Sequence, residues 1–288
     1  MSPNPPGTTL PDDSLAAVLE ALAADVARSA GRLVVDERPD AVEVATTKSS
    51  ATDVVTVMDQ RSQDHLIARL REARPDDSVL GEESGGVTGT SGITWVIDPI
   101  DGTVNYLYGI PAYAGSVAAV VGDPTTAGAW RPFVGAVYNP VTDELYVARS
   151  GGGARVVTAG GAERELNPTA CTELGQALVG TGFGYAADRR ERQGRLLLDL
   201  LPQIRDIRRI GSAALDLCGV GAGVIDAYYE TGLNPWDLAA GWLIATEAGA
   251  VVGGLDGPGE SLTWACVSGL DPVFPDLVKE GTVRHLDH

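Results

Sequence analysis

The chain has 288 residues, 44% of them hydrophobic, and a formal net charge of −18. That size and apolar share allow a substantial core, in one large domain or two closely packed ones. The charge excludes nucleic acid and anionic membrane as principal partners, since both would be repelled, although an acidic protein still binds anions through metal ions. Cys171, Cys218 and Cys266 lie far apart among apolar neighbours without CxxC spacing, as expected of reduced core thiols in a cytoplasmic protein. The start MSPNPPGTTLPDD lacks the basic and apolar regions of a signal peptide, and no apolar run approaches the ~18 residues of a membrane span.

In chain order, residues 1–10 read as a mobile tail. From Ser14, apolar Leu15, Val18, Leu19, Leu22 and Val26 recur at helical spacing, with Gly31 as the expected stop. A polar loop with Lys48 leads to a strand over Val54–Val57 and a helix that has Asp59 near its start and Leu66, Ile67 and Leu70 inward. SVLGEESGG is a short strand running into Glu82 and Glu83 and a glycine-rich loop. Strands follow at Thr94–Ile97, Gly115–Val121, Phe133–Tyr138 and Glu144–Ala148, with SGGGA closing the meander.

Alternation then sets in: strand Ala177–Gly180, helix Gln193–Leu201, strand Asp206–Arg209, helix Ser212–Val220, strand Ile225–Tyr229, helix Pro235–Ala248, strand Leu262–Val267 and a short final helix. The expected organisation is a layered α+β and α/β protein: an N-terminal half over 11–160 with a largely antiparallel sheet and most acidic candidates, and an α/β half over 161–288.

Acidic residues stand repeatedly at strand ends or helix starts: Asp59, Glu82, Asp98, Asp101 and Asp237. Singly, Asp59 and Asp237 read as helix caps and Glu82 as a solvated loop residue. The segment WVIDPIDGT resists such a reading. Pro99 fixes the backbone between two aspartates and Gly102 permits a tight turn, so Asp98, the Ile100 carbonyl and Asp101 face one point. Clustered carboxylates with a backbone carbonyl form the hard-oxygen site that Mg²⁺ favours, whereas three histidines, two near the C-terminus, cannot supply a His₃ zinc site.

GEES, WVIDPIDGT and NPWDLAAG, in this order and spacing, resemble the signature of the inositol monophosphatase family, and LVGTGFGYAADRR and RRIGSAALDLC resemble its actinobacterial extragenic suppressor members. The resemblance implies an αβαβα sandwich and a Mg²⁺-dependent, lithium-sensitive phosphatase with two or three ions per site. It places Glu82, Asp98 and the Ile100 oxygen around one ion, Asp98, Asp101 and Asp237 around a second, and Asp59 with Glu82 at a weaker third. Thr103 with Glu82 would activate the attacking water, and the amides of Gly102 and Thr103 would bind phosphate. Gly211, Ser212, Ala213 and Glu230 would line the leaving-group site, where Asp101 also reaches a hydroxyl, and Lys48 matches a loop lysine near the metals.

The implied reaction is hydrolysis of myo-inositol-1-phosphate by a cytoplasmic homodimer acting on a small phosphate monoester. Histidinol phosphate, fructose-1,6-bisphosphate and 3'-phosphoadenosine nucleotides are the alternative substrates. A regulatory role through contact with RNA polymerase is the alternative of a different class.

Overall fold

The structure is a computed structural model that describes residues 9–39, 42, 44–48, 54–83 and 86–286. The expected mobile tail falls almost wholly outside the described residues, as do His288 and the two serines after Lys48.

Helix α1 (Asp13–Asp36) is capped by Asp12, whose Oδ1 accepts the Leu15 amide at 2.9 Å. It runs past Gly31 instead of stopping there, because that glycine is buried against the Tyr138 ring and serves close packing, not termination. Val18, read with the core series, is 63% exposed. A short pair β1 (Val44–Thr47) and β2 (Val54–Thr56) leads into α2 (Val57–Ala73).

The strands β3 (Ser78–Gly81), β4 (Ile93–Asp101), β5 (Ala114–Gly122), β6 (Trp130–Asn139), β7 (Glu144–Arg149), β8 (Ala154–Val157) and β9 (Glu163–Glu165) form one seven-stranded sheet in sequence order. Only the β3–β4 pair is parallel. The meander does not close at SGGGA: that segment is a turn, and two further strands follow it. A six-residue helix α3 (Thr103–Tyr108) follows β4.

The second sheet has the order β11 (Asp206–Arg208), β10 (Leu178–Thr181), β12 (Ala227–Glu230), β14 (Thr263–Cys266), β13 (Val251–Gly253). Helices α4 (Ala187–Leu200), α5 (Ala213–Gly221), α6 (Pro235–Glu247) and α7 (Val273–Leu286) intervene or follow. The last helix is 14 residues long and holds His285, placed by sequence in a tail, against Asp199 at 2.8 Å.

Strand alternation explains the layering. Trp95 and Ile97 of β4 pack with α1 and α2, while Val96 between them joins the cluster of α5 and α6. Tyr228 of β12 faces that same middle layer, and its neighbours Ala227 and Tyr229 face α4 and α7. The result is an αβαβα sandwich whose two sheets both bury both faces. Cys218 and Cys266 lie in the core as expected; Cys171 is only partly buried, at a loop beside the outer cluster.

Candidate active site

In a regular strand, residues three apart point to opposite faces. Asp98 and Asp101 escape this because the β4–β5 register shifts between them: Asp98 pairs with Ser116 and Asp101 with Ala114, so three steps on one strand answer two on the other. The bulge at Pro99–Ile100 turns both carboxylates to one side. The Ile100 amide donates to Asp98 Oδ1 at 2.9 Å and fixes the first of them.

Asp237 arrives from the middle layer. It is the third residue of α6, and the Asn234 amide donates to its Oδ2 at 2.7 Å in a capping box. Asp98, Asp101 and Asp237 each offer an oxygen within 4.8 Å of the others. Asp59 has the same placement in α2, where the Thr56 amide donates to its Oδ2 at 2.7 Å. Its Oδ1 accepts from Thr103 Oγ1 at 3.0 Å, and that hydroxyl also lies 3.0 Å from the Ile100 carbonyl. Asp59 and Asp237 therefore cap their helices while Asp237 also joins the carboxylate triad and Asp59 accepts from Thr103.

Glu82 follows β3 and interacts directly with Asp98. Lys48 Nζ lies 2.7 Å from Glu82 Oε1 and 2.6 Å from Glu83 Oε1. Gly102 has φ +97°, and a β carbon there would lie 3.0 Å from both the Ala112 and Gly211 carbonyl oxygens. Only glycine allows the DGT turn to approach the IGSA turn so closely. Asn105 ties the same two segments, donating to Ala112 O at 2.7 Å and Ile210 O at 2.8 Å.

Ser212 caps α5 and donates to Asp101 Oδ2 at 2.6 Å, and the Ala214 amide donates to the same oxygen at 2.7 Å. Gly211, Ser212 and Ala213 are thus placed beside the metal-type cluster through Asp101. Glu230, at the end of β12, accepts from Tyr228 OH at 2.6 Å.

Burial pushes Asp59, Glu82, Asp98, Asp101, Glu230 and Asp237 upward. Asp98 and Asp237 rise well above the usual carboxylate range, through burial and then the charge of Glu82. Burial raises Glu82 to about 7 against the pull of Lys48. Asp101 rises to about 6 by burial, with Ser212 and the Ala214 amide pulling it back down. Asp59 is raised by burial as well. Such a set carries either protons or a cation. Its all-oxygen donors and the Ile100 carbonyl fit a hard divalent ion.

Sequence reasoning missed Asp216, Arg209 and Asn105. Asp216 is buried in α5, its Oδ1 without a hydrogen-bond partner among the described residues, and it acts electrostatically on Tyr228. A lone acid inside AALDLCGV was the available signal. Arg209 acts electrostatically on Asp101, Asp216 and Glu230. A cavity of about 480 Å³ lined by Trp130, Trp242 and Thr246 contains none of these carboxyls, so volume does not mark the site.

The inositol monophosphatase family pattern matches residues 15–278. The chain belongs to the inositol monophosphatase family. It is 48% identical to the inositol-1-monophosphatase SuhB of Mycobacterium tuberculosis over 257 residues, 85% of this chain and 86% of that protein. It is also 38% identical to the Nus factor SuhB of Pasteurella multocida over 264 residues, 90% of this chain and 92% of that one. The solved structure of Mycobacterium tuberculosis SuhB superposes with a TM-score of 0.77 at 41% identity, covering 92% of this chain and 97% of that one. Members of this family are phosphatases, which makes the chain a hydrolase by family, and its Asp98, Asp101 and Asp237 could hold a metal ion. Among the described residues no helix is long and apolar enough to cross a membrane.

Proposed function

We propose that this chain hydrolyses myo-inositol-1-phosphate to inositol and phosphate with Mg²⁺ held by Glu82, Asp98, the Ile100 carbonyl, Asp101 and Asp237, with a weaker position at Asp59. The observation that carries it is the convergence of the buried Asp98 and Asp101 and the half-buried Asp237 to within 4.8 Å, a set that when ionised repels itself unless a cation lies among its oxygens. Mg²⁺ bound there supplies positive charge to the phosphate, eases deprotonation of water and neutralises the leaving alkoxide.

The protein groups then have defined tasks. Thr103 spends its proton on Asp59 or the Ile100 carbonyl, which leaves its oxygen free to accept a hydrogen bond from the attacking water. Glu82, directly beside Asp98, is placed to take the proton from that water. The Gly102 and Thr103 amides face the phosphate oxygens. Glu230 accepts from hydroxyls of the leaving group, with Gly211, Ser212 and Ala213 beside Asp101 completing that side. We take the enzyme to be a homodimer, which sedimentation velocity tests, and lithium to compete at one of the Mg²⁺ positions.

The deciding experiment compares specificity constants for myo-inositol-1-phosphate, histidinol phosphate, fructose-1,6-bisphosphate and 3'-phosphoadenosine 5'-phosphate under saturating Mg²⁺. The inositol ester is expected to lead by at least about tenfold, the worth of one good hydrogen bond. Equal or better turnover of any rival would reassign the substrate. The similarity to a protein named Nus factor SuhB supports a second reading, in which the chain also contacts the transcription machinery. Purified RNA polymerase that fails to retain the chain in a binding assay removes it.

A further inference from the structure

We infer that Gly182, the residue after β10, determines leaving-group selectivity by leaving room for the Glu230 carboxyl. The inference rests on the polyol-phosphate reading above and names a residue outside the reacting groups. Strands β10 and β12 run parallel with Gly180 opposite Tyr228 and Thr181 opposite Tyr229. One step further, Gly182 stands beside Glu230. A β carbon on Gly182 would overlap the Glu230 carboxyl carbon and both its oxygens, so the carboxyl lies over the glycine's α carbon instead of continuing past it.

Gly180, two residues earlier, provides a second recess on the same side. A β carbon there would meet Asp216 Oδ1 at 2.9 Å and Tyr228 Cδ2 at 3.3 Å. Two glycines at strand spacing therefore form a floor on which Asp216, Tyr228 and Glu230 rest. Tyr228 holds Glu230 Oε2 at 2.6 Å, and Asp216 Oδ1, without a hydrogen-bond partner among the described residues, lies against Gly180 on the same floor. Glu230 is fixed from one side by Tyr228 and from below by the absence of a side chain at 182.

The φ of Gly182 lies outside the left-handed region, so alanine brings no backbone strain there and its β carbon acts by pushing the Glu230 carboxyl outward. A shift of about 1 Å in a positioning group costs up to about a hundredfold. The group displaced here touches the leaving group, not the phosphate. Selectivity is therefore the quantity that moves.

The test compares kcat and KM for myo-inositol-1-phosphate and for p-nitrophenyl phosphate, whose leaving group carries no hydroxyl for Glu230. In Gly182→Ala the ratio of the two specificity constants is expected to fall about tenfold, mainly through KM for the inositol ester. Adding Gly182→Ala to a Glu230→Ala variant should lower the ratio by less than about twofold further, because the two changes remove one contact. Tyr228→Phe, which keeps the buried ring and loses only the hydroxyl, should lower the ratio about threefold and serves if the alanine variant does not fold. An unchanged ratio in Gly182→Ala, or full additivity with Glu230→Ala, overturns the inference. A wild-type chain with no preference for the inositol ester would instead overturn the reading beneath it.

Discussion

The acidic cluster and the floor beneath Glu230 meet at Asp101 but are assembled in different ways. Asp98, Ile100, Asp101 and Thr103 come from one bulged strand end and the helix after it, so a few consecutive residues fix most of the cluster. Gly182, Asp216, Tyr228 and Glu230 come from three separate segments, and only the pairing of β10 with β12 and the packing of α5 bring them together. Under the proposed function the first arrangement carries the hydrolysis and the second reads the leaving group. Variants on the two sides should accordingly fail in different ways.

The largest effect is expected from Asp98→Asn. Asparagine keeps the shape and can still accept the Ile100 amide, but it removes charge from the centre of the cluster. Phosphate release should fall at least about a thousandfold for every substrate alike, consistent with loss of metal-assisted catalysis. The melting temperature in EDTA should hold or rise, since one member of a mutually repelling set is gone. Substantial residual turnover would remove Asp98 from the ligand set.

Metal removal comes next, and it separates the two regions by pH. Glu82 at about 7 and Asp101 at about 6 lie above the ordinary carboxylate values near 4 expected of the unfolded chain. Between those limits the folded state binds more protons than the unfolded state, so the stability of the metal-free protein falls as pH rises from about 4 to about 7. Mg²⁺, which binds only the folded cluster, should flatten that fall and raise the melting temperature at pH 8. Scanning calorimetry from pH 5 to 8, with EDTA or with Mg²⁺, measures both. Parallel curves under the two conditions would count against a cation among these carboxyls.

On the other side of Asp101, Glu230→Ala should cost about ten- to a hundredfold in specificity for myo-inositol-1-phosphate and much less for p-nitrophenyl phosphate. A uniform loss on both substrates would mean that Glu230 supports the cluster instead of reading the leaving group.

This division also explains what the sequence could disclose. DPIDGT was legible because Pro99 and Gly102 constrain the backbone locally, and the alternation of β4 follows from its residues alone. Capping residues Asp59 and Asp237 were visible but ambiguous, since the same side chain satisfies an amide and faces the site. Gly31 misled because a glycine used for close contact with Tyr138 looks the same in sequence as one that ends a helix. Strand β8 and the edge strand β9 were missed: they are only 4 and 3 residues long, and β9 is exposed throughout. Asp216 and Gly182 were illegible for a different reason. Their surroundings are supplied by chain segments that local pattern does not pair.

The smallest expected effect falls at the rim of the cluster. Lys48 places its ammonium 2.7 Å from Glu82 Oε1 and 2.6 Å from Glu83 Oε1, where it supplies positive charge to the same carboxylate that a cation would use. The lysine side chain is about a third exposed, so the pair is partly screened and its worth lies within the ~0.2–1 kcal/mol of open ion pairs. If the ammonium competes with Mg²⁺ for Glu82, Lys48→Ala lowers the Mg²⁺ concentration for half-maximal activity by about threefold, the upper part of that range. If it instead helps to hold the loop in place for binding, the requirement rises. A Mg²⁺ titration of initial rates at fixed ionic strength separates the two signs, and competition is the expected one because both oxygens the lysine engages belong to acidic residues at the cluster's edge.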